Sequence, residues 1–399
     1  MLSAGCTPIK RQIRFVTVST FAAAPGADHP SDDIIALVRT LVTLETPTRD
    51  VAASRAIADL LTDWFEGVGG EVRQVPTAAG TDLIIEVAGS GAPYLLIGHT
   101  DTVWPTGTLD GDLPWSQHGD VVRGPGAYDM KAGIVVMLEA LRRLRPLPTE
   151  SRRAVRIILV ADEEVGSPES GPLLAGRADG AVAAIGFESP HPDGALKVGR
   201  RGSARVRLGV TGRAAHAALD PENGVSAVDE LVDQLMLVRE IVADPALPGP
   251  VLCNVGSISG GARANVIPAH AQAEIGLRFT DPVTEERVMH ALAGLRPLRA
   301  GAEIAVEVLS ARPAWQASAQ DAALVERIAR SAASIGQHVD ARPAAGAGDT
   351  NLLGDLGVPT VDGFGPRGGG AHAVDEHFLR SSLDERIELL RAVLTIPAE

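Results

Sequence analysis

Tyr94-Leu95-Leu96-Ile97-Gly98-His99-Thr100-Asp101-Thr102-Val103 is a short apolar run that ends in polar groups. Its length and apolar character suit a buried strand, and it is far too short to span a membrane. Similar runs occur at Asp82 to Val87, Val155 to Asp162 and Ala181 to Glu188, with a helix expected from about Lys131 to Leu144. Upstream, Ser31 is placed to cap a helix whose apolar positions include Ile34, Ile35, Leu37, Val38, Leu41 and Val42. A second helix follows Asp50 and stops at Gly69-Gly70, a normal C-terminal signal. Strands alternating with helices in this way predict an α/β fold, a sheet with helices on both faces.

From about Gly199 the pattern changes. Ser203 to Thr211 alternates like a half-exposed strand, and Gly224 to Val242 has helical periodicity. Val251 to Ile258, Ala271 to Phe279, a helix near Pro282 to Leu295, and Glu303 to Leu309 follow. This β-α-β-β-α-β order predicts a separate small α+β module over residues 199–311, inserted in a main domain of residues 31–198 and 312–399. After Pro313 the helix-strand alternation resumes through Ala322 to Ala333, Val358 to Asp362 and Leu383 to Leu394. A chain of 399 residues exceeds what one core usually supports, which also favours two domains.

Composition narrows the function. A formal net charge of −14 argues against nucleic acid, which needs clustered Lys and Arg. No apolar run reaches the length of a membrane span. Cys6 and Cys253, the two cysteines, lie far apart, so neither a disulfide framework nor a cysteine zinc cluster is expected. Residues 1–30 read as a disordered or atypical start. Lys10, Arg11 and Arg14 before Phe15 to Ala24 loosely imitate a signal peptide, but the apolar part is short and interrupted by Thr and Ser. A cytoplasmic protein is the expectation, with export as the alternative.

Polar groups recur where the apolar strands end. His99 closes the first run, and Asp101, two residues on, points to the same side in extended chain. It is placed to accept the imidazole's second N–H and so fix the ring. Gly124-Pro125-Gly126-Ala127-Tyr128-Asp129-Met130-Lys131 leads into a helix, so Asp129 is either its N-cap or a carboxylate presented to a cleft. Ala161-Asp162-Glu163-Glu164 and Phe187-Glu188 put further carboxylates at strand ends, and Gly368-Gly369-Gly370-Ala371-His372 offers a second imidazole from a glycine-rich loop. Ligands in open α/β sheets bind at the carboxyl ends of strands. Two His and three carboxylates suit a pair of zinc ions sharing one carboxylate. Two ions about 3.5–4 Å apart can hold a hydroxide between them and polarise a carbonyl. A spare carboxylate must then act as general base, and Glu163, beside Glu164, is the natural candidate.

The series His99-x-Asp101, Asp129, Glu163-Glu164, Glu188, His372 resembles the bacterial glutamate carboxypeptidases. That metallopeptidase family also contains acetylornithine deacetylase and succinyl-diaminopimelate desuccinylase. The similarity runs from about residue 31 to the C-terminus. It implies a mixed-sheet zinc-peptidase catalytic domain with an inserted lid and dimerisation domain. It also implies two zinc ions per subunit, with cobalt or manganese as substitutes, bridged by Asp129. His99 and Glu188 would complete one position, Glu164 and His372 the other. Glu163 would be the base, with Asp101 behind His99. Glu rather than Asp at 188 implies a carboxypeptidase or deacylase, not an aminopeptidase.

In the inserted module, Gly212-Arg213-Ala214-Ala215-His216-Ala217 resembles the family's lid motif, whose His reaches the partner subunit's site in a homodimer and stabilises an oxyanion. Asn265 and Arg278 would hold the substrate's carbonyl and free carboxylate, the latter by paired hydrogen bonds. Gly348, in Gly346-Ala347-Gly348-Asp349, stands where the family commonly has Ser or Thr, a departure that bears on side-chain preference. The expectation is therefore a hydrolase of an amide bond next to a free carboxylate, acting on small peptides or N-acyl amino acids. A biosynthetic deacylase of the acetylornithine or succinyl-diaminopimelate type is the near alternative. A catalytically silent binding protein is the distant one, since it would have no need of Glu163.

Overall fold

The computed structural model describes residues 31–396, so the expectations for residues 1–30, including Cys6, lie outside the described residues. The main sheet has six strands in the order Gly70–Pro76, Thr81–Val87, Arg153–Val160, Ser90–His99, Ala183–Gly186 and Thr360–Val361. The first two pairings are antiparallel and the other three parallel, a mixed sheet. Gly70–Pro76 was not foreseen. It is an edge strand with no buried residue, so it lacks the apolar run that marks its neighbours.

Side chains alternate across the sheet, and both faces are covered. Leu96, Ile157, Leu159 and Ile185 face a core shared with the helices Ser31–Thr43, Val51–Gly67, Ala132–Leu144 and Arg380–Leu394. Leu95, Ile97, Ile158 and Val160 face the other side, against Leu174 and Leu353 of the helices Gly171–Ala178 and Thr350–Asp355. Burial on both faces explains why these strands read as continuous apolar runs. The helix Ser31–Thr43 begins at Ser31 itself, so Ser31 is its first residue and not the cap the sequence predicts. Asp50 does cap its helix, accepting from the Ala53 N–H.

A second sheet is entirely antiparallel, in the order Val251–Gly260, His270–Phe279, Gly202–Thr211, Glu303–Arg312. The helices Ala227–Val242 and Pro282–Ala293 cover one face, over a separate core that includes Val206, Leu208, Ile275, Leu277 and Phe279. On the opposite face Arg207 bonds Glu274 and Glu307, both at 2.9 Å. The chain leaves the first body and returns to it side by side. Arg200 and Trp315 exchange backbone hydrogen bonds of 2.8 and 3.0 Å, and Lys197 and Asp362 bonds of 2.8 and 2.9 Å. Among the described residues no helix is long and apolar enough to cross a membrane.

Candidate metal centre

The register of the parallel strands sets the site. His99 pairs with Val160 and Ile97 with Gly186, so three strands end at one rim. Asp162 to Glu164 follow the second strand and Glu188 the third. Asp129 comes from the turn before the helix Ala132–Leu144; its φ of −120° and ψ of 92° are not helical, and the helix begins only at Ala132. It is therefore not that helix's N-cap. His372 arrives from the glycine-rich loop, at a φ of 62°.

These groups converge on Asp129. One of its oxygens, Oδ1, lies 3.2 Å from His99 Nε2, which is also 3.3 Å from Glu188 Oε1. The other, Oδ2, lies 3.2 Å from His372 Nε2, which is also 3.2 Å from Glu164 Oε2. The arrangement is two imidazole-carboxylate groups sharing one carboxylate. The two halves are adjacent, since donor atoms of His99, Asp129 and Glu164 all lie within 4.8 Å of one another.

The electrostatics fit a cation. Burial opposes charge on His99, yet Asp101, Asp129 and Glu188 outweigh it and hold the imidazole well above its ordinary value. Hydrogen bonds to Asp129 and Glu164 push His372 up to about 10. Burial and the charge of Asp129 raise Glu188. So many acids around two imidazoles demand positive charge, and Glu164 Oε1 is buried with no hydrogen-bond partner. A buried orphan oxygen in a cluster of His and carboxylate donors is what a metal site needs.

Asp101 departs from expectation in detail. His99 Nδ1 is 2.9 Å from the Asp101 carbonyl oxygen and 3.4 Å from its Oδ1, so the backbone is the closer acceptor. The Asp101 carboxylate instead accepts from the backbone N–H groups of Glu163 and Glu164 and from the Thr48 hydroxyl. It thereby joins the His99 strand to the turn carrying both glutamates. Glu163 is buried beside the cluster without joining it. Burial raises its pKa, while Arg312, whose Nη2 is 2.7 Å from Glu163 Oε1, works against that rise.

Several residues at this site were not anticipated. Arg312 ends the last strand of the second sheet and also meets Asp349 at 3.4 Å. Asp362 accepts from the Glu188 N–H and pairs with the buried Arg200. Glu376 accepts four hydrogen bonds beneath the Asp129 turn. A Cβ on Gly348 would sit 2.7 Å from Arg200 Nη1, so the guanidinium occupies the space a side chain would take.

His216, Asn265 and Arg278 are not brought to the cluster within this subunit. His216 and Asn265 are neighbours, because Ala215–His216 pairs with Val266–Ile267 and the Ala217 N–H donates to the Asn265 carbonyl. The His216 ring accepts backbone N–H groups of Ala218 and Leu219 at Nδ1. Arg278 is exposed and donates to the carbonyl of Leu277. Two cavities, of about 810 and 760 Å³, lie beside the paired segments Ala215–His216 and Val266–Ile267, away from the metal cluster. The converging His and carboxylate donors, and not these cavities, locate the site.

Known proteins resemble this chain in sequence and in fold. Carboxypeptidase G2 from Pseudomonas sp. (strain RS-16) is 28% identical over 348 residues, covering 85% of this chain and 83% of that one. A succinyl-diaminopimelate desuccinylase from Caulobacter sp. (strain K31) is 27% identical over 396 residues, covering 93% and 97%. The solved structure of the M20 family metallo-carboxypeptidase Sso-CP2 from Sulfolobus solfataricus superposes with a TM-score of 0.68 at 17% identity, covering 91% of this chain and 98% of that one. Residues 95–395 match the profile of Peptidase family M20/M25/M40. With that match spanning most of the chain, from the strand Ser90–His99 to just past the helix Arg380–Leu394, the protein belongs to peptidase family M20/M25/M40, and is a metallo-hydrolase.

Proposed function

We propose that this hydrolase uses two zinc ions to cleave an amide bond next to a free carboxylate, releasing a C-terminal amino acid or deacylating an N-acyl amino acid. The observation that carries the reading is Asp129, whose two oxygens each face a different imidazole. His99 and Glu188 would hold one ion with it, and His372 and Glu164 the other. Bound cations would polarise the scissile carbonyl and acidify a water; cobalt or manganese could substitute. Glu163 is the general base. Its Oε1 is engaged by Arg312, which leaves Oε2 to take the water's proton and pass it to the leaving amine. Asp101 steadies both the His99 ring and the Glu163–Glu164 turn.

Residues 199–311 serve as lid and dimerisation module in this proposal. His216 from a second copy of the chain would donate to the developing oxyanion, with Asn265 at the carbonyl and Arg278 at the free carboxylate. The exposed position of all three, away from their own cluster, supports action across a two-fold axis. The similarity to succinyl-diaminopimelate desuccinylases favours a second reading, a biosynthetic deacylase, whose substrate also carries a carboxylate near the amide. A silent binding role is disfavoured by the presence of Glu163 beside a full ligand set.

The deciding experiment assays N-acyl-glutamates, dipeptides, acetylornithine and succinyl-diaminopimelate with native, metal-stripped and zinc-reloaded protein. Loss on stripping and recovery on reloading are expected, and the preferred substrate separates the two readings. Full turnover by protein shown by elemental analysis to be metal-free would end both.

A further inference from the structure

Asp129 can face two imidazoles only if its backbone is held in a shape that is not helical, and something must hold it. The turn carrying it begins at Gly126, in the left-handed region at a φ of 68°, where a Cβ would lie 2.4 Å from Thr102 Cγ2. Three backbone N–H groups of this turn point inward at one side chain. Tyr128 and Asp129 donate to Glu376 Oε1 at 2.9 and 3.2 Å, and Gly126 donates to Oε2 at 3.2 Å. Trp104 Nε1 adds a fourth bond to Oε2, at 2.6 Å.

We propose that Glu376 is the positioning residue of the bridging ligand: it clamps the Gly126–Asp129 turn so that Asp129 serves both cation positions, and ties the His372 loop to it. Converging backbone N–H groups make an anion site, filled here by the protein's own carboxylate. An ionised carboxylate has about four lone-pair positions. Four donors use them, so Glu376 is not itself a ligand. Its side chain is completely buried, where a carboxylate persists only with such partners.

The connections reach three of the ligand-bearing segments of this rim. Glu376 is four residues after His372, and its own N–H closes a turn on the Ala373 carbonyl at 2.9 Å. Trp104 follows Asp101 by three residues on the segment leaving His99. One carboxylate therefore joins the His99 segment, the Asp129 turn and the His372 loop.

The proposal rests on the two-cation reading, and the test separates the two. Zinc binding to the full-length protein is measured by competition with a chelator, together with the melting temperature of the metal-free form and Trp104 emission. Native protein binding fewer than two ions ends the two-cation reading, and this proposal with it. If native protein binds two, Glu376→Gln decides the clamp alone. The amide keeps one acceptor oxygen and turns an NH₂ group toward two donors. Because Asp129 is shared, both binding steps should weaken together, by about 10–100-fold as for other groups supporting metal ligands. Unchanged affinities with a lowered melting temperature would make Glu376 merely structural, and weakening of one step alone would refute the shared clamp. Should Glu376→Gln fail to fold, Trp104→Phe removes one donor only. A loss of a few-fold in both steps is expected from it, and native affinity would overturn the proposal.

Discussion

Glu163 and Glu164 are consecutive, yet the fold gives them different surroundings. Glu164 faces His372, whereas Glu163 faces Arg312. Glu163→Gln should therefore keep both ions and lose about 10²–10⁴-fold in kcat. Metal content and turnover measured on one preparation check this, and a metal-depleted variant would mean the two roles are exchanged. If Arg278 grips the free carboxylate, amidating that end should spoil a substrate for the native enzyme and matter far less to Arg278→Ala. Asp82, which accepts from the Ala161 N–H and is not itself one of the converging donors, makes a separate pH prediction. Burial raises it to about 7, and its Oδ2 has no hydrogen-bond partner. Folded protein then holds a proton that the unfolded chain, with an ordinary value of about 4, releases. The stability contributed is lost as pH rises from about 4 to about 7. Asp82→Asn keeps the neutral form at all pH, so its melting temperature should fall less between pH 5 and pH 8, and parallel curves would refute it. His99, Glu163, Glu164 and Glu188 were legible because they close or follow apolar runs, and Asp129 and His372 because glycine-rich segments present them. Glu376, Arg312 and Asp362 were not, since the partners named above lie 37 to 272 residues away and only tertiary packing makes them neighbours.

Close packing explains which glycines the helices require. Gly133, in the first turn of Ala132–Leu144, would place a Cβ 2.5 Å from the Phe187 carbonyl oxygen, next to Glu188. Alanine gains up to about 1 kcal/mol in helix propensity but overpacks at a cost of about 1–3 kcal/mol. The obstacle is backbone and cannot swing aside, so Gly133→Ala should lower stability. Gly176, in the helix Gly171–Ala178, has nothing within 4 Å of its missing Cβ, and Gly176→Ala should stabilise by about 0.5–1 kcal/mol. Urea midpoints of both variants test the pair. The central strands and the long amphipathic helices were legible because burial imposes their periodicity. The edge strand Gly70–Pro76, the short strands Ser116–His118 and Val121–Arg123, and the parallel pair Leu196–Arg200 with Ala341–Ala344 were not. They are too short or too exposed to carry a repeating pattern, and their pairing is decided by distant chain.

Assembly can be tested by complementation between two broken copies. If His216 acts in the neighbouring site, Glu163→Gln and His216→Ala homodimers should each be nearly inactive. In a mixed dimer one site would combine native Glu163 with native His216, and the other would carry both lesions. Equal mixing makes about half the dimers mixed, so about a quarter of all sites should work. No recovery, with subunit exchange demonstrated, would confine His216 to its own chain or remove it from the reaction.

The paired backbone of Arg200 and Trp315 has a consequence for how the chain could be cut and rejoined. Two residues that exchange both N–H and C=O bonds are the closing pair of an antiparallel ladder, and a tight turn of a few residues can replace whatever lies beyond such a pair. Everything between them is topologically a loop, however large and well folded. Splicing the chain from Arg201 to Ala314 with a short Asn-Gly turn should yield a shorter protein that keeps the rim, binds zinc and lacks every residue offered to a second copy. Such a fragment would run as a monomer on a sizing column. Its catalytic cleft would be open on the side where the excised portion stood.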